Sequence, residues 1–311
     1  MRIVVLIMLL VSLAAAGQPN ALVCTGVASL RSEPRHSAEL ETQALMGTPL
    51  RLDSLSADGE WWLAQLPDGY RAWIPASSVT DPDEMRLQRW RTNSRLICVN
   101  DTETRIYSRP TTDSEPVSDM TAGCIVEGDY SPLYDWTAVT LPDGRRGFAA
   151  TPTVIKLAEK LEHHPDTASV LQTARDLNGV SYLWGGNTTK ALDCSGMTQL
   201  AYRNAGLLLP RNASQQALVG EPIAVDTAFL QAGDLLFFTN ECGRVIHVGI
   251  YESCGLYRHC SGRVHQSSML PGHPLYNGRA VTSARRVIGT KTADKILVRN
   301  HPWYFTDVWQ R

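Results

Sequence analysis

Residues 191–197 read Ala191-Leu192-Asp193-Cys194-Ser195-Gly196-Met197 and place one cysteine between a polar residue and a helical pattern. Apolar residues follow at helical spacing and Gly206 is a typical stop, so we predict a helix from Cys194 to Asn204. Asp193 is then the N-cap residue. A thiol in the first helical turn lies beside unpaired amides and the positive end of the helix dipole, which lowers its pKa. The segment predicts a nucleophilic cysteine, with a buried structural cysteine as the alternative.

Two histidines farther along the chain are spaced to assist this thiol. Residues 245–251 and 256–259 have strand character and are joined by a short connection around Cys254. With the turn there, His247 lies opposite residue 261 and His259 is its diagonal neighbour, so both side chains face one side of the sheet. One histidine can then act as general base while the other orients it. A register shift of one residue would separate them, and the alternative is a pair of structural histidines.

Further motifs occur in order between about residues 165 and 290. They are Tyr182-Leu183-Trp184-Gly185-Gly186, Asp193-Cys194-Ser195-Gly196, Pro210-Arg211, Ala232-Gly233-Asp234-Leu235, His247-Val248-Gly249-Ile250-Tyr251, and His259 before Ser261-Gly262. Together they resemble the NlpC/P60 family, papain-like cysteine peptidases that act on bacterial cell-wall peptides. The resemblance implies an α+β papain-like domain over residues 165–290, with Cys194, His247 and His259 as catalytic residues and no cofactor. Tyr182 matches a family tyrosine near the thiol, an oxyanion or substrate donor whose alternative is a core aromatic residue.

The start of the chain has the features of an export signal. Met1-Arg2 precedes an apolar run that ends in Ala14-Ala15-Ala16, which predicts a secretory signal peptide over residues 1–16. The run is short for a permanent membrane helix. We therefore expect an exported protein, periplasmic or secreted, with no membrane contact after cleavage of the signal.

The composition gives no reason to expect a nucleic-acid partner and does not decide how the cysteines are paired. The chain has 311 residues, 43% of them hydrophobic, and a formal net charge of −2, so more than one domain is expected and nucleic-acid binding is not. Seven cysteines include no C-x-x-C pair, so no metal site is predicted. The six other than Cys194 can be free thiols or disulfides, and a Cys242–Cys254 bridge is one possibility. We expect a monomer.

An internal repeat precedes the cysteine region. Leu66-Pro67-Asp68-Gly69 recurs as Leu141-Pro142-Asp143-Gly144. In both copies, segments with the residue alternation of a strand flank the Pro-Asp-Gly turn. The pattern predicts two small all-β barrels over residues 20–80 and 92–155, which resemble bacterial SH3 domains. A helical linker at 156–164 should follow. Residues 291–311 form a C-terminal extension with four aromatic residues, Trp303, Tyr304, Phe305 and Trp309.

The combination of two SH3-like barrels and a papain-like domain resembles γ-D-glutamyl-L-diamino acid endopeptidases. The resemblance implies a murein-derived peptide substrate, L-Ala-γ-D-Glu-diamino acid, whose free L-Ala ammonium is bound beside the thiol. The implied substrate-binding residues are Asp193 and Ser195, Glu39 and Tyr70 from the first barrel, and Ser214. Glu41 is an alternative to Glu39. Relatives often carry Asp-Ser after the Pro-Arg pair where this chain has Asn212-Ala213-Ser214, which leaves the role of Ser214 open.

Two other functions remain open from the sequence. One is a cell-wall amidase or cross-bridge peptidase that acts on intact peptidoglycan and needs neither Glu39 nor Tyr70. The other is a non-catalytic wall-binding protein in which the barrels are the functional part. The complete set of Cys194, His247 and His259 argues against the latter.

Overall fold

The computed structural model describes residues 19–99 and 104–306, so the predicted signal peptide and the last five residues lie outside it. Within these ranges no helix has the length and apolar character needed to cross a membrane. All seven cysteines lie within them as free thiols, and the Cys242–Cys254 bridge is not formed.

The first barrel is a six-stranded sheet in the order β1-β4-β5-β6-β2-β3. Buried and exposed residues alternate along its strands, and the Pro67-Asp68-Gly69 turn joins β5 to β6 with Gly69 at a φ of 84°. The strands are β1 (Ala21–Leu22), β2 (Val27–Arg31), β3 (Leu40–Leu45), β4 (Pro49–Leu55), β5 (Trp61–Gln65) and β6 (Arg71–Pro75).

The second barrel repeats the strand order of the first. Helix α1 (Glu84–Thr92) connects the two, and the order β7-β10-β11-β12-β8-β9 matches the first sheet strand for strand, with β13 added beside β7. The strands are β7 (Arg95–Cys98), β8 (Thr104–Tyr107), β9 (Pro116–Met120), β10 (Ile125–Glu127), β11 (Trp136–Thr140), β12 (Arg146–Ala150) and β13 (Val154–Lys156). The sequence repeat therefore corresponds to a structural one.

The C-terminal half packs helices against an antiparallel sheet. Helices α2 (Leu157–Glu162), α3 (Thr167–Asp176), α4 (Cys194–Asn204), α5 (Ala213–Gln216) and α6 (Lys291–Lys295) accompany a small β14–β15 hairpin (Asn187–Thr188 and Ala191–Leu192). The sheet has the order β16-β21-β17-β18-β19-β20. Its strands are β16 (Glu221–Ile223), β17 (Leu235–Thr239), β18 (Val245–Ser253), β19 (Leu256–Ser261), β20 (Arg263–Ser268) and β21 (Ser283–Arg286). This α+β arrangement confirms the predicted fold class.

The apolar core of this half fixes α4 on the sheet. Met197, Leu200 and Ala201 lie on the buried side of α4 and share a core with Val248 and Ile250 of β18. The helix begins at Cys194 and ends at Asn204, and Gly206 follows at a φ of 86°, as the sequence predicts. The core therefore holds the N-terminus of α4 against β18, the strand that carries His247.

The C-terminal extension contacts both barrels. Nε2 of His301 lies 3.1 Å from the carbonyl oxygen of Pro67 in the first barrel. A guanidinium nitrogen of Arg95, in the second barrel, donates to the Tyr304 carbonyl at 2.7 Å. The same guanidinium lies 4.6 Å from the ring centre of Phe305. The aromatic tail, up to residue 306, is packed on the body of the protein.

Candidate active site

The cysteine predicted as nucleophile lies at the start of α4. Asp193 is the N-cap, and its Oδ1 accepts the Gly196 N–H at 2.7 Å, so Cys194 occupies the first turn. The thiol is only 9% exposed, and burial together with the Asp193 carboxylate raises its pKa to about 11. The N–H groups of Val248 and Ser195 act in the opposite direction without overcoming burial. The prediction of a lowered thiol pKa is therefore wrong for this cleft.

The two histidines meet on one face of the sheet. Strands β18 and β19 pair Ile250 with Arg258 and Tyr251 with Tyr257, the register expected from a turn at Cys254. Nε2 of His247 lies 2.7 Å from Nδ1 of His259. This confirms that the two side chains face each other.

A serine that the sequence did not reveal completes the chain of contacts. Nε2 of His259 lies 2.9 Å from Oγ of the buried Ser267 on β20. Burial lowers the pKa of His247 to about 4 and that of His259 to about 2, so both rings are neutral at pH 7. A neutral His259 that donates from Nε2 to Ser267 accepts at Nδ1 from His247. That arrangement leaves Nδ1 of His247 free of a proton and able to accept one.

Tyr182 lies within electrostatic range of the thiol. It forms an isolated bridge with Leu192, and its N–H donates to the Gly262 carbonyl at 2.9 Å. Burial, followed by the charges of Cys194 and Asp193, raises the pKa of its hydroxyl to about 12. The hydroxyl is therefore a protonated donor near the nucleophile.

Asp193 and Ser195 are bound to a buried arginine. The guanidinium of Arg211, 1% exposed, donates to Asp193 Oδ1 at 3.0 Å and to Oδ2 at 2.5 Å. It also donates to Ser195 Oγ at 3.0 Å, and that hydroxyl donates to Asp193 Oδ1 at 3.2 Å. The Gly185 N–H donates to Oδ2 at 3.0 Å. The two residues predicted to bind a substrate ammonium are thus already paired inside the protein.

In the sequence Arg211 is marked only by its place in the Pro210-Arg211 motif. A cation that closely follows the apolar run Leu207-Leu208-Leu209 could have indicated its role. A guanidinium buried after such a run requires a carboxylate partner. Its Nε also donates to Thr42 Oγ1 of the first barrel at 2.9 Å. Arg211 therefore joins the first barrel to the nucleophile helix.

The first barrel lies directly against the loop that precedes the cysteine. The N–H of Asn187 donates to Gln43 Oε1 at 3.2 Å, and Gln199 of α4 donates to Asp68 at 2.8 Å. Gly185 has a φ of 78°, and a Cβ there would lie 2.4 Å from the Leu40 carbonyl oxygen. Only glycine allows this close approach.

Tyr70 is paired with Glu41. The Tyr70 hydroxyl donates to the half-buried Glu41 carboxylate, and burial and that carboxylate raise the pKa of the tyrosine to about 12. The Asn212 side chain and the charge of Arg211 lower the pKa of this hydroxyl, but by less than the other two causes raise it. Glu39, two residues earlier, is exposed. The structure therefore favours Glu41, the alternative, as the acidic partner of Tyr70.

Ser214 does not join these groups. It is exposed on α5, whereas Ala213 and Gln216 of the same helix are buried. The Gln216 amide, which no sequence motif indicated, donates to the Ser195 carbonyl at 3.0 Å and supports the first turn of α4. Among residues 19–99 and 104–306, no group of three or more His, Cys, Asp or Glu side chains is arranged to hold a metal.

Comparisons with known proteins agree with this organisation. The NlpC/P60 family model matches residues 179–285, and the model of the bacterial dipeptidyl-peptidase SH3 domain matches residues 30–79. The SH3 match covers the first barrel only. The assignment of residues 92–155 as a second SH3 domain stays a prediction, supported by the common strand order.

Individual relatives are similar over most of this chain. Dipeptidyl-peptidase 6 of Lysinibacillus sphaericus is 29% identical over 273 residues, 85% of this chain and 97% of that protein. A γ-D-glutamyl-L-lysine dipeptidyl-peptidase of Bacillus cereus is 27% identical over 70% of this chain and 66% of its own length. The crystal structure of an NlpC/P60 family protein from Bacillus cereus has the same fold, with a TM-score of 0.71 at 22% identity over 86% of this chain and 99% of that one. Residues 179–285 therefore form a domain of the NlpC/P60 family of cysteine peptidases, and an SH3 domain of the bacterial dipeptidyl-peptidase type precedes it in the chain.

Proposed function

We propose that this protein is a cell-wall peptidase that hydrolyses the γ-D-Glu–diamino acid bond of murein peptides with a free N-terminal L-Ala. The observation that carries the proposal is the position of the first barrel, which brings Tyr70 and Glu41 toward the Arg211–Asp193 cluster beside Cys194. A barrel in that position limits the length of peptide on the acyl side of the thiol. The name of the Bacillus cereus relative is consistent with the same bond.

In the proposed reaction Cys194 attacks the γ-carbonyl carbon of D-Glu. His247 takes the thiol proton at Nδ1 and delivers it to the leaving amine of the diamino acid, and a thioester to L-Ala-γ-D-Glu remains. Water then hydrolyses the thioester, with His247 as base. His259 and Ser267 hold the His247 ring in place. His247 Nε2 contacts His259 Nδ1, and His259 Nε2 contacts the Ser267 hydroxyl, so Nδ1 of His247 stays directed to the reaction.

The oxyanion needs preorganised donors close to the thiol. The Cys194 N–H lies in the first turn of α4, where backbone amides have no helical acceptor. The protonated Tyr182 hydroxyl is the second donor that we propose. The helix fixes the Cys194 amide, and contacts with Leu192 and Gly262 fix the Tyr182 backbone, before substrate binds. Preorganised donors are what stabilises charge in the transition state.

Glu41 is the group that we propose for the ammonium of L-Ala. Asp193 is neutralised by Arg211, whereas in the described part of the chain no cation pairs with Glu41. A half-buried carboxylate without a cation favours an ammonium ligand, and an acylated alanine could not satisfy it. Glu41 and Tyr70 thus select for the free amine, while Asp193 and Ser195 hold the thiol helix and Arg211 in place.

The test compares a free and an N-acetylated substrate. We expect release of L-Ala-D-Glu, detected by mass spectrometry, from L-Ala-γ-D-Glu-meso-diaminopimelate but not from its N-acetyl form. Glu41→Gln should lower kcat/KM for the free-amine peptide by about 10- to 100-fold, since a contact with a charged group is worth about 1.5–3 kcal/mol. Glu39→Gln is the matched variant, and a larger loss there would transfer the role to Glu39. Equal cleavage of both peptides would contradict recognition of the free amine.

The pH profile should follow the buried histidine. Burial and the positive charges of Arg279 and His265 lower the pKa of His247 to about 4. Protonation removes the base, so kcat/KM should stay level down to about pH 5 and fall about tenfold per pH unit below about 4. Steady-state rates between pH 3.5 and 8, with stability checked at each pH, measure the acid limb. A midpoint at or above the ordinary histidine pKa of about 6.5 would show that His247 titrates freely.

A further inference from the structure

The loop between β20 and β21 carries an arginine to the histidine side of the cleft. The Tyr257 ring lies 5.0 Å from that of His259, and the Asn277 side chain donates to the Tyr257 hydroxyl at 2.9 Å. The Arg279 N–H donates to Asn277 Oδ1 at 3.1 Å, which fixes the loop there. The positive charge of Arg279 acts to lower the pKa of His247, of His259 and of Tyr257, so this charge lies within electrostatic range of all three side chains.

In the part of the chain that the structure describes, Arg279 lacks the carboxylate partner that two arginines of the adjacent sheet have. Arg258 pairs with Glu252 at 3.2 Å, and Arg286 pairs with Asp234 at 2.8 Å. Arg279 is exposed, and within residues 19–99 and 104–306 no carboxylate forms an ion pair with it. His265, whose ring lies 4.4 Å from that of His259, adds to the basic character of this wall.

An unpaired cation beside the general base is unfavourable unless an anion accompanies the substrate. The imidazolium that forms on His247 during catalysis is destabilised by a neighbouring positive charge. A substrate carboxylate next to Arg279 offsets its positive charge while the imidazolium is present on His247. The position of Arg279 therefore fits an anionic part of the substrate.

The identity of that part follows from the direction of the reaction. His247 must protonate the leaving amine, so the leaving residue lies on the histidine side, away from the barrel that faces L-Ala. The leaving diamino acid has an α-carboxylate, and diaminopimelate has a second carboxylate at the end of its side chain that lysine lacks. Either can reach a guanidinium on this wall and form a charge-assisted, bidentate contact.

We propose that Arg279 is a specificity-determining residue that binds a carboxylate of the leaving diamino acid. The inference rests on the proposed function. It assigns recognition of the two substrate ends to opposite walls, with Glu41 and Tyr70 for the ammonium and Arg279 for the carboxylate.

The experiment measures kcat/KM for three free-amine peptides with the protein from about Gln18 onward. They are L-Ala-γ-D-Glu-meso-diaminopimelate, L-Ala-γ-D-Glu-L-Lys and the C-terminal amide of the lysine peptide. Arg279→Gln should lower kcat/KM about tenfold more for the substrates that have the contacted carboxylate than for those that lack it. A loss for diaminopimelate alone assigns the side-chain carboxylate. A loss for both acids but not for the amide assigns the α-carboxylate.

Two further variants separate contact from long-range charge. Arg279→Lys keeps the positive charge but loses the planar guanidinium, which can donate two parallel hydrogen bonds to a carboxylate. It should therefore retain part of the selectivity for substrates with that carboxylate. Arg263→Gln removes an exposed arginine from β20 and should match the wild type. An equal change for all three substrates, or none, would overturn the role of Arg279 and leave the proposed function standing. Failure of the wild-type protein to cleave any of them would overturn the proposed function and this inference with it.

Discussion

Replacement of Cys194 by alanine should lower kcat/KM by about 10⁴-fold or more, because the proposed thioester forms on the Cys194 thiol. The nucleophile, His247 and His259 act as a unit, so the loss of the thiol leaves the histidine chain without a proton to accept. Substrate binding should remain, since the proposed ammonium and carboxylate contacts do not involve the thiol. The measurement is single-turnover hydrolysis of the free-amine tripeptide, with substrate affinity determined separately by calorimetry.

The chain offers a matched control in Cys242, an exposed thiol. Cys242→Ser should retain wild-type activity, and both variants should unfold at the temperature of the parent protein. Residual activity of Cys194→Ala within tenfold of the wild type would remove Cys194 from the chemistry. That outcome would revive the hypothesis of a wall-binding protein or place the nucleophile elsewhere.

The parts of the site that the sequence predicted correctly depend on local spacing. The N-cap at Asp193 and the helix end at Gly206 follow from residue types within a few positions. The meeting of His247 and His259 follows from the short turn near Cys254, because the register that pairs Ile250 with Arg258 and Tyr251 with Tyr257 places both rings on one face of the sheet. Such features need no knowledge of how distant segments pack.

The features that the sequence left open or predicted wrongly depend on contacts between segments far apart in the chain. Glu39 and Glu41 are two residues apart, so strand alternation places them on the same side and cannot choose between them. The choice follows from Tyr70, which the barrel brings to Glu41. The thiol pKa was predicted in the wrong direction because the helix terminus is local, whereas burial of Cys194 is a property of the assembled cleft.

The buried ion pair of Arg211 and Asp193 should be the strongest single contact between the site and the fold. The arginine is 1% exposed, and its guanidinium reaches both carboxylate oxygens, the Ser195 hydroxyl and Thr42 of the first barrel. Removal of one partner leaves the other charge buried, which costs about 3–5 kcal/mol. Arg211→Met should therefore destabilise the protein by that amount and loosen the contact between the barrel and the nucleophile loop.

Urea unfolding of Arg211→Met, Asp193→Asn and the double variant measures this pair directly. The double variant should be less destabilised than the sum of the two single variants, because the carboxylate that Arg211→Met leaves unpaired is then absent. Selectivity for the free amine should fall together with stability in Arg211→Met, since Glu41 and Tyr70 are carried by the barrel that Arg211 holds. A loss of stability with unchanged selectivity would show that the Gln199–Asp68 and Asn187–Gln43 contacts alone position the barrel. Destabilisation below about 1 kcal/mol would mean that water replaces the guanidinium at little cost, as it does for exposed ion pairs.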